Sequence, residues 1–490
     1  MNRKDWRRKT LKRLSAYTDT DTEFITDCNE RLDEAQKRLA GDVPAIVMPD
    51  KETVYLWKDR TDVTMLRKMA ATTDLWVLDL GITTTLGALA PMTDGTWDGV
   101  MHLEITDPTG IVHRRQAREF FTRSVPPFLN YAVTLDRPWR NTTDTNMAFR
   151  IYQPEFFLRD DVMQLLDGAI WDASHSYLGT LPEAALAYRD ETDFRGDANG
   201  RPEKMHRGRR FQLDAPATAP VAALDTGDNP AVPWLGPHPI GTYRFLYTYA
   251  WGKKVPEYAA PQGSFDPVWE SSPSPISNAL VMSGATMRIL LSKLPNIDFM
   301  QNFDPVPAAL RNGHSGIYKR IYVIIDAVNT AGPFVDDVEA LAVPTFLGEV
   351  SGEVVTFTWD GSVIPEYKRR CPESQGYFAY SMYPHQDEDF EVDFRVRRRV
   401  RNLGHDYDAP NIDPDGEEAL LALGRAYIAQ MLKNDVEAEK ALAWYEQTEK
   451  PRLLAHKSSP AEVVPPRPWG YNSLAARRDP WWGRQKPFTS

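Results

Sequence analysis

Near the start of the chain, apolar residues recur at helical spacing. Steps of four, four, three and four residues separate Phe24, Cys28, Leu32, Ala35 and Leu39. Such steps place the side chains on one face of a helix. Thr20 and Glu23 have the spacing of a capping box, and Gly41 is a suitable end. The pattern predicts an amphipathic helix with Cys28 in the core rather than a reactive cysteine.

A period of two dominates the middle of the chain. Aromatic residues alternate with other residues at Tyr243, Phe245, Tyr247 and Tyr249. They should share one buried face of a strand, because successive side chains point to opposite faces. We expect Phe357 and Trp359 near the same core or at its edge. Further apolar runs separated by turn residues lie at 279–282, 287–291, 317–325 and 353–359. This spacing predicts a β-sandwich over 241–361.

After residue 385, a strand pattern is followed by two helical patterns. Alternation at Phe390, Val392, Phe394 and Val396 predicts a strand, with Glu391 and Asp393 on its solvent face. One helical stripe contains Leu420, Leu423, Tyr427 and Met431, and the next contains Val436, Ala438, Leu442 and Tyr445. Asp435 is the expected cap of the second helix. The two helices are predicted to form a hairpin.

Weaker patterns indicate the remaining elements. They predict a helix at 61–71, strands near 76–80, 101–105 and 147–152, and a hairpin with its turn at 107–110. The stretch 190–210 is polar and rich in glycine and arginine, so it is expected to be a flexible loop.

Together the patterns predict an α+β protein. A small helical bundle is expected from both chain ends, with a β-rich central region that includes an immunoglobulin/fibronectin-like β-sandwich. The expected parts are an N-terminal helical part (1–75), a β-rich region (76–235), the sandwich (236–362), a strand with a helical hairpin that completes the first domain (363–457), and an extended tail (458–490).

Composition narrows the class of protein. Hydrophobic residues make up 42% and charged residues 26% of the chain, as in globular proteins. Cys28 and Cys371 are too few for a disulfide framework or a four-cysteine metal site. The N-terminus is charged and lacks the apolar core of a secretory signal, and no apolar run reaches membrane-spanning length. We therefore expect a protein made in a cytoplasm, without a membrane partner.

Both ends of the chain are basic. The net charge is -11, whereas residues 1–13 carry +6 and residues 461–490 carry +3. Prolines in the C-terminal segment favour extended backbone, and Trp and Arg are the residues that dominate interfaces. The candidate partner-binding residues are Trp469, Tyr471, Arg477, Arg478, Trp481, Trp482 and Arg484. The alternative is that these tryptophans pack into their own domain.

Motifs for catalysis are missing from the sequence. It contains no phosphate-binding glycine loop, no HExxH and no GxSxG. Calcium binding by the acidic stretch 387–393 is less expected than a solvated strand face. An acid–base site at His405, Asp406 and Asp408 is less expected than scattered loop residues. We therefore predict no enzyme, no cofactor and no metal.

The order of the segments carries a resemblance. An N-terminal helix, ERLDEAQKRLAGDVP, is followed after the β-rich region by FEVDFRVRRRVRNLGHDYDAPNI and by a helical hairpin, EEALLALGRAYIAQMLKNDVEAEKALAWYEQ. This arrangement resembles the head-to-tail connector (adaptor or neck) proteins of tailed bacteriophages, with an inserted fibronectin type III-like module. The resemblance implies that the N-terminal helix packs on the hairpin and that the tail inserts into the portal ring.

The resemblance implies a structural virion protein of the neck, assembled in the host cytoplasm. Its expected partners are further copies of itself in a dodecameric ring, the portal protein, a tail tube or nozzle protein, and tail fibres. Genomic DNA would only pass through the channel, for which an acidic body is suited because basic residues bind phosphates. A receptor- or glycan-binding tail protein and a glycoside hydrolase remain alternatives.

Overall fold

The structure is a computed structural model of the chain. It describes residues 1–14, 22–59, 77–83, 95–107, 109–125, 128–139, 147–172, 174–182, 199–225, 241–253, 267–282, 288–296, 317–327, 343–361, 366–371, 376–403 and 408–458. Two compact units divide the chain. Unit 1 comprises Met1–Glu52, Asp161–Leu166 and Arg395–Ser490, and unit 2 comprises Thr53–Asp160 and Asp167–Phe394.

Helices lie near the two ends of the chain. They are α1 (Arg3–Arg13), α2 (Thr22–Asp42), α3 (Glu417–Met431), α4 (Asp435–Trp444) and α5 (Lys450–Ser458). A π-helical turn, Tyr445–Glu449, connects α4 to α5. The predicted amphipathic helix is confirmed as α2, whereas the helix predicted at 61–71 falls outside the described residues.

Strands predominate between the helices. In the first half of the chain they are β1 (Asp50–Leu56), β2 (Val77–Thr83), β3 (His102–Thr106), β4 (Val112–Val125), β5 (Phe128–Leu135), β6 (Ala148–Tyr152), β7 (Glu155–Arg159), β8 (Val162–Asp172), β9 (Tyr177–Thr180), β10 (Asn199–Gly200), β11 (Lys204–Phe211) and β12 (Val221–Asp225). The predicted hairpin with its turn at 107–110 is confirmed by the antiparallel pairing of β3 with β4.

The second half of the chain supplies the other strands. They are β13 (Gly241–Lys253), β14 (Pro267–Glu270), β15 (Leu280–Met282), β16 (Arg288–Ser292), β17 (Ile317–Ala327), β18 (Thr345–Ser351), β19 (Phe357–Trp359), β20 (Glu366–Arg370), β21 (Tyr377–Tyr383), β22 (His385–Gln386) and β23 (Phe390–Arg398). The protein is therefore α+β, mostly sheet with a few helices.

The strands pair mainly antiparallel in several sheets. Their orders are β1-β23-β8-β9, β10-β22, β11-β21-β7, β12-β16-β19, β14-β13-β17-β18-β20 with β15 also on β13, and β2-β5-β4-β3-β6. Sheet β12-β16-β19 includes a strand that begins before the expected sandwich boundary at 236, because Val221–Asp225 pairs with Arg288–Ser292.

One apolar core of unit 1 combines residues from α1, α2, α3 and the turn after α4. Its members include Trp6, Cys28, Leu32, Leu39, Leu423, Ile428 and Tyr445, all fully buried. The helices approach closely at Gly424, where an added Cβ would lie 2.9 Å from both Leu32 Cδ2 and Trp6 Nε1. Trp6 Nε1 also donates a hydrogen bond to the Leu420 carbonyl at 3.2 Å. The expectations that Cys28 and Leu32 are buried are confirmed.

In unit 2, one core lies between sheet β12-β16-β19 and the central strands β13 and β17. The aromatic face of β13 contributes Tyr243, Phe245 and Tyr247, which are fully buried. Trp359 packs on this face, with its ring centroid 6.0 Å from that of Tyr243 and 6.3 Å from that of Phe245. The alternation therefore predicted both the strand and its buried face.

Some details of the sequence-based prediction are wrong. The stretch 190–210 is not wholly a loop, because β11 pairs with β21 and buries Met205. Arg207 of β11 stacks 3.5 Å above the Phe378 ring, a partner that the local sequence does not show. Asn434, not Asp435, caps α4 by accepting from the Glu437 amide. Val436 is 63% exposed, because α4 turns Ala438 and Ala441 inward instead.

Candidate functional site

The partner-binding residues predicted from the sequence lie beyond the described part of the chain. They are Trp469, Tyr471, Arg477, Arg478, Trp481, Trp482 and Arg484, whereas the description ends at Ser458. The candidate site is therefore built from the helices that lead to this segment and from the clusters of charged residues in each unit.

The helices before the tail carry both buried and exposed apolar side chains. Ala438, Ala441, Tyr445 and Leu453 are buried at steps of three, four and eight residues. Three other apolar side chains of these helices are exposed: Val436 is 63%, Trp444 54% and Leu454 41% exposed. We call these three residues the exposed apolar set. An exposed tryptophan is typical of surfaces that bind a partner.

Polar contacts fix the π-helical turn to α2. The Tyr445 hydroxyl donates to Asp42 Oδ2 at 2.8 Å, and Lys450 Nζ lies 3.3 Å from the same oxygen. Arg38 Nη2 donates to Glu446 Oε1 at 2.6 Å. Burial, together with the bond to Asp42, raises the pKa of the Tyr445 hydroxyl well above its usual value. The helix that precedes the tail is thus held in place by an ionic cluster as well as by the core.

Two arginines of the basic run after residue 394, Arg398 and Arg401, are paired with carboxylates within unit 1. Arg398 Nε donates to Asp50 Oδ2 at 2.9 Å and Nη1 donates to Asp161 Oδ1 at 2.8 Å, while Nη2 binds Glu52. Arg401 Nη2 donates to Asp161 Oδ2 at 3.0 Å. Because carboxylates already bind these guanidinium groups, Arg398 and Arg401 are poor candidates for binding DNA phosphates.

Two residues of the acidic stretch 387–393 accept hydrogen bonds from protein groups. Asp393 is buried, contrary to the prediction of a solvent-facing side chain, because it accepts from Thr53 Oγ1 at 2.7 Å. Asp389 Oδ1 accepts from the Lys58 amide at 2.8 Å. Among the described residues, no group of three or more His, Cys, Asp or Glu could hold a metal ion. His405 and Asp406 of the candidate acid–base site lie outside those residues.

Sequence reasoning missed a buried ionic cluster in unit 2. Glu270 accepts from Thr248 Oγ1 at 2.7 Å and from Arg320 Nη1 at 3.2 Å, and the Tyr322 hydroxyl donates to the same carboxylate. All four side chains are buried. Burial, together with the Glu270 charge, raises the pKa of Tyr322 well above its usual value. Since water and substrate cannot reach these groups, the cluster is structural. The sequence does contain one signal of this cluster, because the charged residue Arg320 lies inside the apolar strand pattern 317–325.

A second cluster in unit 2 contains a carboxyl group with an altered pKa. Burial raises the pKa of Asp59 to about 6, although Arg150 Nη1 lies 3.9 Å from its carboxylate. Nearby Glu104 is held by Arg114 Nε at 3.1 Å and by Arg150 Nε at 3.2 Å. Both Glu104 oxygens therefore face a guanidinium group. This arrangement does not supply the pair of available carboxylates that glycoside hydrolysis needs.

A cavity in unit 2 is too small for an organic ligand. Its walls include Thr53, Tyr55, Trp57, Gln153 and Lys253, and its volume is about 30 Å³. Ligand pockets usually have volumes of several hundred Å³, whereas this one has room for a water molecule or two.

No family model, curated protein or solved structure matches the chain. Within the described residues, no helix combines the length and the apolar character needed to cross a membrane.

Proposed function

We propose that the protein is a head-to-tail connector of a tailed bacteriophage. In this proposal, copies of the chain form a ring, expected to be dodecameric, that joins the portal to the tail tube or nozzle protein and surrounds the path of the DNA. The observation that carries the proposal is the composition of unit 1. Helices α1 and α2 share a core with α3 and the turn after α4, as expected for the connector arrangement.

The tail would supply the contact with the portal. Helix α5 precedes this segment in the chain, and the exposed apolar set lies on α4 and α5. Trp and Arg side chains of residues 459–490 would then enter pockets on the portal or on a neighbouring copy. Many weak contacts of this kind add up on a ring, because each bound copy raises the effective concentration of the next contact.

Charge is consistent with a channel for DNA. The chain carries -11 overall, and Arg398 of the basic run is paired internally with three carboxylates. A wall with few unpaired cations would let DNA slide, because every phosphate neutralised by Lys or Arg adds affinity.

We further propose that the two sheets around Trp359 form a fibronectin type III-like module for docking tail fibres. In the immunoglobulin-type sandwich, strands B and E pair in one sheet, with D on the other side of E, and C, F and G pair in the other. Here β12-β16-β19 corresponds to B-E-D and β13-β17-β18 to C-F-G. Along the chain, these six strands follow the immunoglobulin order except for β19. This strand takes the D position but comes after β18, which takes the G position. The same strand order supports the alternative of a receptor- or glycan-binding tail protein.

A mass measurement distinguishes these proposals. The purified full-length protein would be measured by mass photometry alone and after mixing with its phage's portal. A connector should add a ring of copies to each portal. A receptor-binding protein should leave the portal mass unchanged, remain a monomer or trimer, and be retained on a glycan column. The second pattern would contradict the connector proposal.

A further inference from the structure

Strand β13 has one edge that is only partly covered by strands. Its first edge pairs with β17 from Gly241 to Trp251. Its second edge pairs with β14 at one end and with β15 at the other. Between these two short strands, the middle of the second edge faces residues 271–279, which are described but do not form a strand.

Three serines occupy this middle part at every third position. The amides of Ser271, Ser274 and Ser277 donate to the carbonyls of Tyr249, Tyr247 and Phe245, each at 2.8 Å. In return, the amides of Tyr249, Tyr247 and Phe245 donate to the hydroxyl oxygens of the same serines at 2.9, 3.1 and 2.9 Å. The strand amides therefore bind side chains where a neighbouring strand would offer carbonyls.

The serine spacing does not match a β-strand. Three residues of the segment keep pace with two residues of β13, which rises about 3.4 Å per residue. The segment therefore rises only about 2.3 Å per residue, less than the 3.1 Å of an extended polyproline helix. This winding lets each serine hydroxyl also donate to the carbonyl of the next residue, at 2.8 Å for Ser271, 3.0 Å for Ser274 and 2.8 Å for Ser277.

The outer side of the segment is poorly suited to pairing. Pro273 and Pro275 have no amide hydrogen, so two donors that an added strand would need are missing. Strand β13, which this segment covers, is by contrast well suited to pairing. It is long and rich in aromatic residues, and such strands readily pair with further chains when an edge is open.

We infer that Ser271, Ser274 and Ser277 form an edge guard, which keeps the middle of β13 from pairing with the same strand of a second copy of this chain. The three serines are 0%, 4% and 7% exposed, so they act on β13 and not as an external binding site. The inference does not depend on the connector proposal, because it rests on hydrogen bonds inside unit 2.

The test removes the three hydroxyl groups from the full-length protein. The variant Ser271→Ala/Ser274→Ala/Ser277→Ala is compared with the wild type and with Ser272→Ala, which makes the same chemical change outside the guard. Amide hydrogen exchange and sedimentation velocity over a tenfold range of concentration are measured. The triple variant should exchange the amides of Phe245, Tyr247 and Tyr249 about tenfold faster at low concentration, because each loses its acceptor. It should also associate beyond the wild-type oligomer, and Ser272→Ala should not.

Unchanged exchange and unchanged association in a folded triple variant would overturn the inference. Faster exchange without added association would also overturn it, since the serines would then only complete the local structure. If circular dichroism shows that the triple variant is unfolded, the single variant Ser274→Ala is studied instead by hydrogen exchange and sedimentation velocity. Faster exchange at Tyr247 with added association then supports the guard, and any other result overturns it.

Discussion

Asp59 carries a carboxyl group that the fold of unit 2 almost completely removes from water. Its side chain is 5% exposed, and burial raises its pKa from 3.8 to about 6. A raised pKa means that the folded state binds the proton more tightly than the unfolded state does. The contribution of this group to stability is therefore most favourable below pH 4 and is lost as the pH rises through 6.

The variant Asp59→Asn should remove this dependence. At pH 8 it should be more stable than the wild type by about 1 to 3 kcal/mol, because a neutral amide replaces a buried charge whose pKa is shifted by about two units. Near pH 4 the difference should largely vanish. Denaturant unfolding at both pH values checks this, with exposed Asp214→Asn as the control. A variant less stable at pH 8 would show that the attraction of Arg150 outweighs the cost of burial.

At the scale of elements, helix packing in unit 1 depends on a glycine. A Cβ at Gly424 would lie 2.9 Å from Leu32 Cδ2, whereas a Cβ at Gly41 of α2 would meet no atom within 4 Å. Gly424→Ala should therefore destabilise the protein by about 1 to 3 kcal/mol through overpacking. Gly41→Ala should be neutral or stabilising by up to about 1 kcal/mol, because alanine favours helix. Melting temperatures of the two variants test this, and equal shifts would refute close packing at Gly424.

Elements with a regular pattern could be predicted, and those that depend on distant partners could not. The alternation from Tyr243 to Tyr249 gave strand β13 and its buried face, because a pleated strand has one possible period. The local pattern does not predict strand β11, because Arg207 packs on Phe378, far along the chain. The pattern places Asp393 in solvent, because its partner Thr53 lies 340 residues away. The serines of the edge guard recur every three residues in the sequence. Only their hydrogen bonds to every second residue of β13 show what this spacing does.

At the scale of the whole molecule, part of the candidate site could likewise be predicted from the sequence and part could not. The composition of the tail predicts a binding segment, yet composition alone does not choose between a partner and the chain's own core. The structure adds the exposed apolar set and the ionic cluster at Asp42, neither of which the helical pattern predicts. The helical pattern predicts Val436 in the core, whereas Ala438, Ala441 and Tyr445 form the inward face of the helix.

The connector proposal leads to a prediction about residues 458–490. A chain that ends at Lys457 retains the described core of unit 1, including Leu453 and Tyr445. If the tail is a strap to the portal, this truncated protein should keep the wild-type melting temperature but fail to join portal complexes in mass photometry, because Trp481, Trp482 and the tail arginines are gone. The full-length variant Trp481→Ala/Trp482→Ala should bind portals more weakly without a change in melting temperature. A lower melting temperature of the truncated monomer would assign the tryptophans to its own core, and normal assembly onto portals would end the strap hypothesis.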